Sequence, residues 1–126
     1  MKTSEMVFQW LKQQGFCPQI DQDGDIQFKY QMRNFYYFNN DDDESFFRLA
    51  MPGIFDVTDE NRYAVLETMN EINKMFKIMK AFIPNNDVWL STEILLDSTP
   101  EVGDLIPRLL NSLLHGQQDF YELIEK

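Results

Sequence analysis

The chain has 126 residues and a mass of 15.0 kDa, a length that favours one domain spanning residues 1–126. Eleven Lys and Arg stand against 21 Asp and Glu, for a formal charge of -10, while 44% of residues are hydrophobic and 25% charged, as in globular domains. That acidity argues against binding a nucleic-acid phosphate backbone, no apolar run reaches the roughly 18 residues of a membrane span, and the single Cys17 leaves no internal disulfide.

The start, Met1-Lys2-Thr3-Ser4-Glu5, leads into an amphipathic segment rather than an apolar one, so no secretory signal is expected. With one cysteine, this fits a reducing, cytoplasmic setting. A first helix is predicted over residues 4–14, capped by Ser4 or Thr3 and stopped by Gly15, with Val7, Trp10 and Leu11 facing inward. Residues 16–20 read as extended, because Pro18 pushes its neighbour away from helix. Asp21-Gln22-Asp23-Gly24-Asp25 is a turn.

A strand follows, with Ile26, Phe28, Tyr30 and Met32 alternating against Gln27, Lys29, Gln31 and Arg33. Arg33-Asn34 reads as a two-residue hairpin loop that pairs Met32 with Phe35 and Tyr30 with Tyr37. Asp41-Asp42-Asp43-Glu44 marks the next turn, and a loop centred on Asp42 pairs Tyr37 with Phe47 and Phe38 with Phe46. Phe35, Tyr37, Phe47, Leu49 and Met51 then share the core face. Tyr36, Phe38, Phe46, Arg48 and Ala50 share the opposite face with Lys29. Pro52-Gly53 ends this three-strand meander.

A long helix is predicted from Thr58 or Asp59 to about Lys77, with Val65, Met69, Ile72, Phe76 and Met79 as its seam and Asp59 and Glu60 in its first turn. Strands over residues 81–83 and 88–96 form a hairpin across Pro84-Asn85-Asn86-Asp87. Thr99, Pro100 and Glu101 open a last helix striped by Leu105, Leu109, Leu113 and Phe120, with a kink at Pro107 or a second start near Asp104 and a break expected at Gly116. The expected fold is α+β: an antiparallel sheet of about five strands flanked by helices, in the order helix, three-strand meander, helix, hairpin, helix.

Few residues form a chemical constellation. The Asp21 turn lacks the sixth-position glycine and twelfth-position glutamate of a calcium loop in register, so it reads as a solvated turn. Residues 41–44 read as a charged hairpin tip. His115 is the only histidine and reads as structural, and Cys17 reads as a small buried apolar residue. No spacing selects a carboxylate pair for acid/base work, so no catalytic, cofactor or metal residue is assigned. The surplus aromatics Tyr36, Phe38 and Phe46, with Arg48, have the composition of a protein interface and are the candidate partner-binding residues.

The order of motifs carries a resemblance. A glycine-ended helix leads to an Asp-x-Asp-Gly turn and Ile26-Gln27-Phe28, then to Phe35-Tyr36-Tyr37-Phe38 and Phe46-Phe47-Arg48-Leu49-Ala50-Met51-Pro52. A helix bearing Asn70-Glu71-Ile72-Asn73 follows, and Lys77 or Lys80 leads into a strand pair. This resembles the YbjN-like family of bacterial sensory transduction regulators, similar in fold to type III secretion chaperones. The resemblance implies an α+β domain with no cofactor, no enzyme activity, and a protein partner, with homodimers typical of the chaperones. Asn70 and Asn73, on one helical turn, are expected to cap a loop or bond the sheet edge. The expected function is thus a homodimeric, non-enzymatic interaction module, chaperone-like or regulatory. An acidic inhibitor or immunity-type protein that binds a basic partner is the alternative.

Overall fold

The computed structural model describes residues 1–40 and 42–126; Asp41, in the expected acidic tip, lies outside the described residues. Among the described residues three helices, α1 (Thr3–Gln13), α2 (Arg62–Met75) and α3 (Val102–Ile124), accompany six strands: β1 (Gln19–Ile20), β2 (Ile26–Tyr30), β3 (Arg33–Tyr37), β4 (Phe46–Asp56), β5 (Met79–Phe82) and β6 (Asp87–Leu95). They form one antiparallel sheet in the order β1-β2-β3-β4-β6-β5. The α+β class is as expected, with one strand more: residues 19–20, expected merely to be extended, pair Gln19 with Gln27 and Ile20 with Ile26.

Alternation sorts the side chains into two faces. Ile26, Phe28, Phe35, Tyr37, Phe47, Leu49, Met51, Leu90 and Val88 are buried under the helices, which contribute Leu11, Val65, Ile72, Leu113 and Phe120 to the same core. Each large side chain so buried is worth about 1.5–3 kcal/mol. Gly116 does not interrupt α3. A Cβ there would stand 2.7 Å from Met79 Sδ and 3.2 Å from Leu90 Cδ1, so the missing side chain lets the helix lie close on the sheet. Pro107 also sits inside the continuous helix, and the helix begins beyond Thr99 and Pro100, at Val102.

Neither expected hairpin register holds, though the strand faces are kept: partners in the first are displaced by four residues and in the second by two. The β2–β3 turn falls on Gln31 and Met32, at φ 51° and 63°, not on Arg33-Asn34. Phe28 thereby opposes Phe35 and Ile26 opposes Tyr37. The stacked Phe28–Phe35 rings, 5.5 Å apart, favour this register at the cost of placing two non-glycine residues in the left-handed region, about 1–2 kcal/mol each. Met32, expected on the core face, is 99% exposed at the turn. Likewise Tyr36 opposes Ala50 and Tyr37 opposes Leu49, rather than Tyr37 opposing Phe47.

Pro52-Gly53 was expected to end the meander; β4 instead continues to Asp56, across a register shift between Met51 and Phe55. Pairing with β3 does stop there. Beyond Tyr36–Ala50 the next hydrogen-bonded pair would be Asn34–Pro52, and Pro52 has no N–H to offer, so β3 and β4 part at this point.

Helix α2 starts later than expected. Thr58 and Asn61 exchange bonds, Thr58 N–H to Asn61 Oδ1 (2.7 Å) and Asn61 N–H to Thr58 Oγ1 (3.2 Å), and this leaves Asp59 and Glu60 in the turn ahead of the helix. At the start of α1 neither Ser4 nor Thr3 acts as side-chain cap. Glu44 Oε1 instead accepts the Thr3 N–H at 3.0 Å. After α2, Phe76 is already extended, so Lys77 falls outside the helix. Ile78 then adopts φ 58°, a conformation that strains a β-branched residue.

Asn73 bonds the outer edge of β5, accepting the Ala81 N–H at 2.7 Å and donating to the Ala81 carbonyl at 3.4 Å. This satisfies the edge group that β6 does not reach. The Asp21 turn is held by its own side chains: Asp21 Oδ1 accepts the N–H of Asp23 (2.9 Å) and of Asp25 (3.0 Å), and Asp25 Oδ1 accepts the Asn39 N–H (2.9 Å). Burial raises the Asp25 pKa, and Asp21 and Asp23 add to the rise by repulsion, against the lowering effects of the Asn39 bond and Arg48.

Two outcomes follow. Ile78→Gly should raise stability by about 1 kcal/mol in urea denaturation, because the glycine relieves the left-handed strain; a loss of stability would show that its side chain matters more. Because the folded pKa of Asp25 is raised, its charge opposes folding at neutral pH, and that penalty fades as pH falls through the folded pKa. Asp25→Asn should therefore gain most over wild type near pH 7. The difference in urea midpoint should close as the pH falls through that raised value toward the ordinary carboxylate range.

Candidate functional site

The face of the sheet turned away from the core carries an aromatic layer. Tyr36 on β3, Phe38 just beyond it and Trp89 on β6 lie nearly flat against one another, with Phe82 on β5 beside them: Tyr36–Trp89 rings are 6.0 Å apart at 11°, Tyr36–Phe38 5.8 Å at 19°, and Phe38–Trp89 6.2 Å at 27°. Phe82 leans on Trp89 at 6.2 Å and 49°. All four are half-buried. Below them, Ala50 and Ser91 are fully buried small residues in mid-sheet, so the rings lie low over the strands.

Arg48 is the centre of this layer. Its guanidinium carbon stands 4.5 Å over the Phe38 ring and 5.6 Å over that of Phe82. Arg48 Nε donates to Ser91 Oγ at 3.1 Å and lies 3.3 Å from Glu93 Oε2. Ser91 Oγ donates to the same Glu93 oxygen at 3.1 Å, and Lys80 Nζ approaches it at 3.0 Å. Glu93 opposes Arg48 directly across the β4–β6 ladder. The pair is partly desolvated, with side chains 28% and 23% exposed, so the guanidinium is fixed in place while its face remains against the rings. Glu93 is occupied by three donors and serves as the anchor of this cluster.

Of the residues expected to bind a partner, Tyr36, Phe38 and Arg48 lie together in this layer. Phe46 is half-buried on the same face one row farther on, opposite Leu95, which is 75% exposed. Sequence reasoning omitted Trp89, Phe82, Lys80 and Glu93. The signal was present: Trp89 sits between Val88 and Leu90, both buried, and period-two parity carried across the last hairpin would have placed it on this face. Asn73 reaches the sheet edge as described above, whereas Asn70 is exposed and makes no side-chain hydrogen bond among the described residues. Cys17, expected to be buried, is exposed, because residues 16–18 pass along the rim of the sheet. His115 is exposed in the middle of α3.

Beside the aromatic layer, where β3 and β4 part, a trough of about 660 Å³ opens toward β1. Among the described residues no helix is long and apolar enough to cross a membrane.

The profile of the family described as "Putative bacterial sensory transduction regulator", YbjN, matches residues 3–125. No curated protein matches the chain. Among solved structures the fold is similar to that in the crystal structure of YbjN from E. coli, titled "a putative transcription regulator", with a TM-score of 0.65 over 94% of this chain and 88% of that one. At 12% identity this likeness concerns the fold alone. The order of motifs, the α+β sheet and the profile match converge: the chain belongs to the YbjN family.

Proposed function

We propose that this protein is a non-enzymatic interaction module, chaperone-like or regulatory, that docks a partner protein on the open face of its sheet. The observation that carries this reading is the aromatic layer of Tyr36, Phe38, Trp89 and Phe82 around a fixed Arg48, left uncovered by the three helices. Trp, Tyr, Phe and Arg are the residues that concentrate binding energy at protein interfaces. Here they are held by stacking and by the Glu93 cluster, so little side-chain freedom is lost on contact.

Membership of a family of regulators supports a role in communication rather than turnover. The acidic-inhibitor alternative finds less support on this face. Arg48 and Lys80 are paired with Glu93 there and Lys29 adds a third cation, against the carboxylates of Asp87 beside Trp89 and Asp25 near Arg48, so the face carries no acidic surplus to steer a basic partner. A second copy of the chain is a possible occupant, and the mass of the captured complex distinguishes it from a foreign partner.

Phe46→Glu and Phe82→Glu place a charge on the open face at half-buried positions and should each cost less than about 1.5 kcal/mol in stability. Both should reduce capture of the partner from host lysate at least tenfold. Leu66→Glu, on the exposed side of α2, should leave capture intact. Loss of the partner with Leu66→Glu and its retention with the two open-face variants would move the interface to the helices.

A further inference from the structure

The trough beside the aromatic layer has a composition unlike the rest of the chain. With 21 acidic residues in 126, a lining of a dozen residues should include about two, yet none of the described residues lining it is Asp or Glu. Its one basic residue is Lys29, which is exposed and pairs with no carboxylate among the described residues. The remaining polar groups are neutral amides, Gln19, Gln27 and Asn34, each able to donate and accept. The apolar floor is Tyr36, Pro52 and Trp89.

The register explains the shape. Lys29 opposes Asn34 on β3, Asn34 faces Pro52 across the gap in the β3–β4 ladder, and Pro52 lies next to Met51, whose partner Leu90 adjoins Trp89. The trough thus crosses the strands from the β1 edge to β6. That is about four interstrand steps of about 4.8 Å, or roughly 19 Å, the length of about six residues of extended chain. The Tyr36 and Trp89 rings, 11° from parallel, give proline and aromatic rings a flat seat, and the amides can pair with the backbone of a segment that has no strand partner of its own.

We propose that the trough binds an extended, proline-containing segment of the partner protein, with an acidic side chain of that segment on Lys29 Nζ and a ring on Tyr36 and Trp89. This rests on the docking reading given above and adds to it the chemistry of the partner: an acidic, proline-bearing strip rather than a basic one. Charge is the deciding argument. At the β2 end a carboxylate meets Lys29 and a basic side chain meets an uncompensated cation, while the carboxylate of Asp87, which accepts the Trp89 Nε1–H at 3.1 Å, stands at the opposite, β6 end.

The test uses the full chain and two sets of fluorescein-labelled hexapeptides built from proline and phenylalanine. One set carries a single aspartate at each position in turn, and the other carries lysine there. Binding is read by fluorescence anisotropy at low salt. Wild type should bind members of the aspartate set at least tenfold more tightly than their lysine counterparts. Lys29→Glu should reverse that preference, and Lys29→Met should abolish it while leaving the fold unchanged by circular dichroism. Equal binding of the two sets, absence of binding by any aspartate peptide, or a preference unmoved by Lys29→Glu overturns the proposal. If the peptides fail while Phe46→Glu and Phe82→Glu still abolish partner capture, the docking face stands and the trough is not its peptide site. If neither assay responds, the docking reading falls as well.

Discussion

Eight residue pairs hold β4 against β6, and because side chains alternate along both strands, that one register assigns most of the molecule's chemistry to one face or the other. Phe47, Leu49 and Met51 with Ile94, Thr92 and Leu90 go to the helices. Arg48 and Ala50 with Glu93 and Ser91 go to the open side. A slip by one residue would bury the Arg48–Glu93 pair under α3 and expose the phenylalanine and leucine that now close the core. The cost of burying those charges and stripping that apolar surface makes the register robust.

The open face inherits its order from this ladder. Arg48 can lie across Phe38 and Phe82 because Glu93 and Ser91, directly opposite and diagonal to it, hold its Nε. Small residues at Ala50 and Ser91 keep the rings close to the strands. Pro52 then interrupts the neighbouring ladder to β3, and the trough opens where that pairing ends. The same strand therefore supplies a rigid layer and, four residues on, the gap beside it.

Much of this was legible in the sequence, and its limits have physical reasons. Period-two alternation between Ile26 and Met51 assigned the strand faces, apart from Met32, which the turn places in solvent, since burial selects parity strongly. It could not fix the hairpin registers, because a shift by any even number of residues preserves parity. Ring stacking of Phe28 on Phe35 decided that shift, against the local preference of Asn34 for a left-handed turn. Pro52 and Gly53 do mark an irregularity, but the strand does not end there: pairing with β3 stops, whereas pairing with β6 resumes at Phe55 after a register shift. Gly116 reads as a helix breaker by propensity, and its close packing on Met79 and Leu90 overrode that preference, while Pro107 lies exposed inside the same helix. The aromatic layer was half visible: its β3–β4 members came from parity, while Trp89 and Phe82 belong to a hairpin whose place beside β4 is a matter of topology.

The claim that function resides on this face is tested most directly by site-specific photocrosslinking in the native host. A benzophenone amino acid is placed at Phe82 on the open face and, in a separate strain, at Tyr63, which is 77% exposed on α2. The account predicts one discrete crosslinked partner from position 82 and none from position 63. A discrete product from position 63 with none from position 82 would contradict it and assign the interface to the helical side.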